Sequence, residues 1–364
     1  MNPANEKISI LYASMLIISG VGVFDHVTII PMLLKTSGRD SWIAVAITGI
    51  FFFLWIPVLL FIMRRTGMEH LRIGLKRRLG AFPAGLIMAL IVIQLFMIST
   101  HTLEDVSNWT RITYLPATPK LIILLALSAV CYYAACSGIR AIAIVNGILL
   151  PFVVLFGFFV AAANIPHKDY SLLFPLFADG IAPVVHGMVY SGAGLFELIM
   201  ILFLQHHIKG DMRPLPLFIT GLILLELILS PLTGGIAEFG AAEGGRMRFT
   251  AFEEWRLITF GHFIENVDFL SIYQWLVGAL VRISLPLFLI PDLLGITRGK
   301  QRAWLMAGIA FMSVAAAEIL FSDTAFYRFT YKFYLPYSLV LWLVLSLIIA
   351  AAAAMNTERM RSVP

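Results

Sequence analysis

Apolar residues run in long blocks along the chain, about 8–33, 41–63, 82–103, 119–136, 139–163, 181–205, 214–233, 267–291, 302–321 and 334–355, and charged or turn-forming residues collect between them. A helix rises about 1.5 Å per residue, so crossing roughly 30 Å of bilayer hydrocarbon takes about 20 mostly apolar residues. Each block predicts one transmembrane helix. In series they predict an all-α integral membrane protein of about ten spans, filling 1–364 as a single transmembrane domain. The first block lacks a basic start and a small-residue exit and runs on to Pro31 and Lys35, so it is expected to be a span and not a cleaved leader.

Composition narrows the classes further. The chain is 60% apolar and 13% charged, with a mean hydropathy of +0.91. Soluble chains carry about 25% charged residues, which a core of this size would need as cover. The two cysteines, Cys131 and Cys136, lie in one span on different faces, which excludes a disulfide scaffold. The net charge of +5 is dispersed among apolar runs and fits an anionic lipid surface better than nucleic acid. Basic residues concentrate on one side, above all Arg64, Arg65, Arg72, Lys76, Arg77 and Arg78, with Arg298, Lys300, Arg302, Arg359 and Arg361 later in the chain. By the positive-inside rule both termini are expected in the cytoplasm.

Two connections stand out. In the basic stretch 66–80, Leu71, Leu75 and Leu79 recur at helical spacing, as in a short cytoplasmic helix lying at the headgroups; a solvated loop that only sets topology reads equally well. The stretch 234–266 opens with Gly234, Gly235, Gly240, Gly244 and Gly245 and is expected to be an extracellular loop. Its continuation from Thr250 to Asp268 is amphipathic and suits either a short helix closing the outer mouth or a plain spacer.

The first span reads Ser19-Gly20-Val21-Gly22-Val23-Phe24-Asp25-His26 and the sixth Tyr190-Ser191-Gly192-Ala193-Gly194-Leu195-Phe196-Glu197. Both set small residues near mid-span and follow them with an ionisable group. In lipid, unwound backbone survives only where protein, water or ligand takes over its polar groups. Interrupted spans in matching positions therefore point to a small-molecule site, and positions one and six suit a five-plus-five inverted repeat, about 8–163 and about 181–355. The competing reading is that the glycines merely let helices pack closely. With both spans broken, amides after Gly20 and Gly22 would hold a carboxylate. Carbonyls around Ser191 to Gly194, with the Ser191 hydroxyl, would hold an ammonium.

At this point the chain resembles a known group. Ten spans with interruptions in the first and sixth are similar to the amino acid/polyamine/organocation transporter superfamily, whose members bind substrate between those breaks. More specific stretches resemble the B subunit of bacterial spore germinant receptors: Val27-Thr28-Ile29-Ile30-Pro31 and Ser41-Trp42; Leu115-Pro116-Ala117-Thr118-Pro119; Phe174-Pro175-Leu176; Gly194 to Glu197; Phe249-Thr250, Arg256-Leu257-Ile258, Gly261 to Asp268 and Trp275. Their order and spacing cover nearly the whole chain. The resemblance implies a nutrient-sensing subunit working beside A and C subunits in the inner membrane of a spore, with a small amino acid as ligand and no cofactor. It also implies that helices 3 and 8 complete the pocket, bringing in Gln94, Met97, Ile98 and His101 on one side and Tyr273, Gln274, Trp275 and Gly278 on the other. Early in helix 5, where relatives often set an acid beside a base, the sequence has Arg140 with no acid close by, so ion coupling is not carried over.

The candidate ligand-binding residues are thus Gly20, Val21, Gly22, Val23, Gln94, Met97, Ile98, Tyr190, Ser191, Gly192, Ala193, Gly194 and Tyr273. Asp25, Glu197, Glu226 and Arg282 are ionisable groups within spans, costly there unless they face protein or water, and they are assigned gating or structural roles. Glu197 is expected to hold the unwound sixth helix or pair with a group on helix 8 or 1, Asp25 and His26 to cap the second half of helix 1, and Arg282 to pair across the bundle or reach the headgroups. His206 and His207 are set at the interface, because sequence neighbours on a helix point to different faces; no metal is expected. No nucleophile–base set or phosphate loop stands on a believable scaffold, so no enzyme is expected. The functional readings are a nutrient receptor subunit, an ion-coupled amino acid transporter with the same pocket, and a scaffold with a vestigial pocket.

Overall fold

The computed structural model describes residues 7–211, 213–259, 267–296, 299–320 and 322–355. Gly261 to Asn266 of the sequence motif, and Arg298, Arg359 and Arg361 of the orientation argument, lie outside the described residues. Among the described residues the protein is all-α, with one isolated bridge between Ile8 and Ile208. Among the described residues eight helical stretches are long and apolar enough to cross a membrane, and Lys120–Cys136 is a shorter apolar helix. The first stretch, Ile10–Thr66, is too long for one crossing and turns at Gly38, whose φ of +53 suits glycine. It comprises α1 (Ile10–Phe24), a π turn (Asp25–Ile29), α2 (Ile30–Ser37) and α3 (Ser41–Thr66).

Then come α4 (Leu71–Leu79), α5 (Ala81–Thr113), α6 (Lys120–Cys136) and α7 (Ile139–Ala163). The sixth span is α8 (Ala182–Leu195), a 3-10 turn (Phe196–Ile199) and α9 (Met200–Leu204). The chain continues with α10 (Pro214–Gly244), α11 (Thr250–Arg256), α12 (Leu270–Leu293) and α13 (Gly299–Ile319). It finishes with α14 (Asp323–Phe329), a second π turn (Thr330–Tyr334) and α15 (Leu335–Ala354). The sixth span and α12 are buried along most of their length, and α1, α5 and α15 pack around them; α7 and α13 sit at the edge. With lipid on the outside there is little hydrophobic drive between helices, so the centre is closed by small residues and hydrogen bonds. Ser19 donates to Asn146 Oδ1 at 2.6 Å, Thr48 and Ser191 share a 2.8 Å bond, and Trp55 Nε1 donates to Ser346 at 3.0 Å.

Four expectations are corrected. Helix 1 does not unwind at Gly20 and Gly22: the Asp25 amide still donates to Val21 O, and the irregular segment is the π turn that follows. The two glycines instead admit neighbours, Val281 and Arg282 beside Gly20 and Leu227 beside Gly22. Helix 6 likewise stays helical from Ser191 to Gly194 and only tightens at Phe196–Ile199. The stretch after 233 is not a loop at first, since α10 runs on through Gly234 and Gly235, which are buried against Thr250 and Glu254 of α11, and bends only at Gly240, where φ is +73. A glycine in a helix costs about 1 kcal/mol, and this close packing offsets it. Glu226, assigned a gating or structural role within a span, is exposed on the outside of α10.

The short helix at 66–80 is present as α4, but it is docked and not floating. Leu71 and Leu75 are buried, Arg78 is buried and donates to Glu69, Gly74 O and Arg65 O, and Arg72 donates to Leu294 O.

Candidate functional site

At the centre of the bundle two charges on different spans meet. Glu197, in the 3-10 turn of the sixth span, receives Arg282 Nη1 at 2.5 Å and Nη2 at 2.9 Å. Arg282 Nη1 also donates to Gly20 O at 2.8 Å, and its guanidinium lies 4.2 Å over the Phe24 ring. Arg282 therefore ties α1, the sixth span and α12 together. Such a planar fork matches a carboxylate in two places at once.

Asp25, the first residue of the π turn, is fully buried, and neither of its oxygens has a hydrogen-bond partner among the described residues. It does not cap a half-helix. It lies against the Gly194 backbone and within electrostatic reach of Glu197 and Arg282. Two carboxylates thus face one guanidinium. Next to them His101 Nε2 contacts Thr330 Oγ1 at 2.9 Å and the His101 ring stacks on Tyr334 at 4.6 Å, joining α5 to the second π turn.

From this centre toward the α11 end, the two π turns flank a narrow cleft. Thr28 of the first and Thr330 of the second line it, with Asp105, Arg248, Phe249 and Tyr327. Thr28 donates to Asp105 Oδ2 at 3.2 Å, and Arg248 Nη2 is buried with no hydrogen-bond partner among the described residues. One acid, one base and two hydroxyls thus meet around one narrow cleft. π turns in membrane helices are frequent at functional sites, because a carbonyl there is released from the regular ladder.

Aromatic side chains cover this end. Trp109 stacks on Trp275 at 3.9 Å, Phe252 of α11 meets Trp109 edge-on, and Tyr114 donates to Asp268 O at 2.8 Å. Beneath α11, Lys168 lies 3.6 Å from Glu238, and Glu254 is buried with one carboxyl oxygen unpartnered. Burial pushes the Glu254 carboxyl well above the usual range; Glu238 adds to the rise and Lys168 opposes it.

Apart from Tyr273, the residues expected to touch ligand are brought to the centre, but they are engaged with protein. Gly20 and Val23 face α12, Val23 packing on Gly278, Gly22 faces α10, and Val21 is buried. Tyr190 stacks on Tyr331 at 5.3 Å, Ser191 bonds Thr48, and Gly192 meets Leu339. Ala193 and Ile98 are fully buried and Met97 half-buried. Gln94 donates to Ser338 at 3.0 Å, and Tyr273 donates to Leu149 O at 3.0 Å, away from the centre. Of the ionisable group, Asp25, Glu197 and Arg282 come together, while Glu226 does not join them. Sequence reasoning passed over Asp105 and Arg248. Asp105 continues the Gln94–His101 face of helix 3 by one turn and was within reach of the same periodicity; Arg248, in a glycine-rich stretch, carried no signal.

At the opposite, α4 end, His206 and His207 do not diverge. The last turn of the sixth span is 3-10, and both rings point to Asp292 at the end of α12, with His70 beside them.

A multi-span helical bundle with a charged, irregular centre is the build of an integral membrane protein of the permease type. The spore germination protein family model matches residues 7–318, and Spore germination protein XB of Bacillus anthracis is 41% identical over 349 residues, covering 96% of this chain and 98% of the relative. The chain belongs to the spore germination protein family, whose members are germinant-receptor-type membrane proteins and not a known enzyme family.

Proposed function

We propose that this protein is the nutrient-sensing membrane subunit of a spore germinant receptor. It binds a small amino acid at the α11 end of the bundle centre and passes the change to A- and C-type partner subunits. In this reading the α11 end faces outward, both termini are cytoplasmic, and the membrane is the inner membrane of the spore. The observation that carries it is that Asp105 and Arg248 line one cleft beside the first π turn. Arg248 suits a carboxylate, and Asp105 with Thr28 suits an ammonium. Gly20 to Val23, Gln94, Met97, Ile98, Tyr190 to Gly194 and Tyr273 enter the proposal as the packed wall that the ligand rearranges, and Asp25, Glu197 and Arg282 as its gate. A ligand shifts such an equilibrium only by its differential affinity for the two conformations.

Thermal unfolding of the purified protein across a panel of amino acids tests this. At a concentration 100-fold above the dissociation constant the cognate nutrient adds about 2.7 kcal/mol. Asp105→Asn and Arg248→Gln abolish the response without lowering the unliganded unfolding temperature. Wild type that responds to none of the panel removes the proposal and leaves the scaffold reading.

A second reading, an ion-coupled transporter, draws on Asp25. Two buried carboxylates against one guanidinium leave a negative charge for a proton or cation to offset. Accumulation of labelled amino acid by liposomes containing only this chain, lost in Asp25→Asn, favours the transporter over the receptor.

A further inference from the structure

At the α4 end three imidazoles converge on one carboxylate. His206 Nε2 lies 2.8 Å and His207 Nε2 3.2 Å from Asp292 Oδ2, and His70 Nε2 lies 3.8 Å from the same oxygen. The His206 ring sits 4.0 Å from that of His207 and 4.4 Å from that of His70. The four side chains come from three places in the chain: the turn before α4, the end of the sixth span, and the end of α12. All are sheltered, with side-chain exposures of 17% for His70, 15% for His206, 12% for His207 and 7% for Asp292.

We infer that His206, His207, Asp292 and His70 form a binding site for a divalent transition metal, with zinc the best-fitting ion. Zinc binds imidazole nitrogen and carboxylate oxygen at about 2.0–2.1 Å, so neighbouring ligand atoms of a tetrahedral ion stand about 3.3 Å apart. The observed 2.8, 3.2 and 3.8 Å from the three nitrogens to Asp292 Oδ2 bracket that spacing, and the ligand atoms of His70, His206 and Asp292 all lie within 4.8 Å of one another. An imidazole-rich set selects against magnesium and calcium, which prefer oxygen donors.

Hydrogen bonding alone is a weaker account of the cluster. His70 is beyond hydrogen-bond distance of Oδ2 and reaches the Asp292 carbonyl at 3.1 Å instead, while His206 Nδ1 is buried with no partner among the described residues.

The ligands are unequal. His70 Nδ1 accepts the Arg72 amide at 3.2 Å, capping α4. Binding metal through Nε2 moves the proton to Nδ1 and ends that cap, so His70 is the weakest ligand of the mutually close trio His70, His206 and Asp292, and His207 joins them from the Asp292 side. Arg302 approaches Asp292 on the other oxygen, Oδ1, at 4.0 Å, leaving Oδ2 to the metal. A bound ion joins the end of the sixth span to the end of α12 and to the α3–α4 connection, clamping this end of the bundle shut.

Tag-free full-length protein in detergent, stripped with chelator, is titrated with zinc against a chromophoric competitor, and with cobalt for its ligand-field spectrum. One equivalent of zinc binds per chain, cobalt gives the intense visible bands of tetrahedral nitrogen–oxygen ligation, and zinc raises the unfolding temperature. His206→Gln and Asp292→Asn each lower the affinity at least about 100-fold, beyond the usual cost of losing an outer-shell partner. His70→Gln lowers it less. His207→Gln serves where Asp292→Asn does not fold, and keeps the wild-type unfolding temperature in chelator while losing the zinc-dependent rise. Failure of wild type to bind stoichiometric zinc, or binding that survives in the His206→Gln/His207→Gln double variant, overturns the site.

Discussion

Glu197 and Arg282 show what a buried charge does in a protein surrounded by lipid. Each is desolvated at a cost of several kcal/mol, returned only because the partner and the Gly20 carbonyl are held in place. Removing one partner leaves the other uncompensated, so Glu197→Gln or Arg282→Gln is expected to lower stability by about 3–5 kcal/mol. The double variant loses less than the sum of the two. Thermal unfolding of the three proteins in detergent checks this. Loss equal to the sum means that the two groups act independently. An acid in mid-span made Glu197 conspicuous in the sequence, but the choice of Arg282 as its partner, 85 positions away, was only one of the pairings open to it. The unpartnered Asp25 was read as a cap because caps are local; its true setting depends on the Gly194 backbone of another span.

At the scale of helices, the glycines were legible as small residues but not as to purpose. A glycine that permits unwinding and one that permits contact look alike in sequence, and only the neighbour distinguishes them. The structure ranks them. A Cβ at Gly20 would meet Val281 at 3.6 Å, an ordinary contact, whereas one at Gly194 would overlap the Asp25 carboxylate and Ile29. Gly192 is intermediate, opposite the flexible end of Leu339. Gly20→Ala is therefore expected to unfold at or above the wild-type temperature and Gly194→Ala well below it, by about 1–3 kcal/mol as for other overpacked cores. Comparing both in detergent tests the ranking, and equal stabilities would mean that the first and sixth spans do not touch at Asp25. The π turns at Asp25–Ile29 and Thr330–Tyr334 had no counterpart in the sequence reading, because a single extra residue per turn leaves the apolar pattern of a span unchanged.

For the whole molecule, the cover at the α11 end carries a pH dependence. Glu254 ionises less readily in the fold than in the unfolded chain, where its value is about 4.5. Below that pH both states are protonated and nothing is gained or lost. Above it the unfolded chain ionises first, so stability falls as pH rises until the folded group ionises too. Glu254→Gln should remove that falling limb and leave the protein more stable than wild type at neutral pH. Unfolding temperatures measured from about pH 4 to pH 8 decide it, and a parallel pair of curves would place the pH dependence elsewhere.

The membrane class, the run of spans and their near-correct limits were determined by the sequence alone, because the free energy of placing about 20 residues in hydrocarbon is a sum over neighbours in the chain. The family resemblance likewise rests on local stretches in order. Tertiary structure decided which charges meet, whether glycines bend or pack, that α10 runs past Gly235, that Glu226 faces outward, and that His206 and His207 point the same way. Each of these depends on what a second helix presents across a few ångströms. That information lies in no window of the chain, since a buried polar group takes its meaning from the partner that satisfies it.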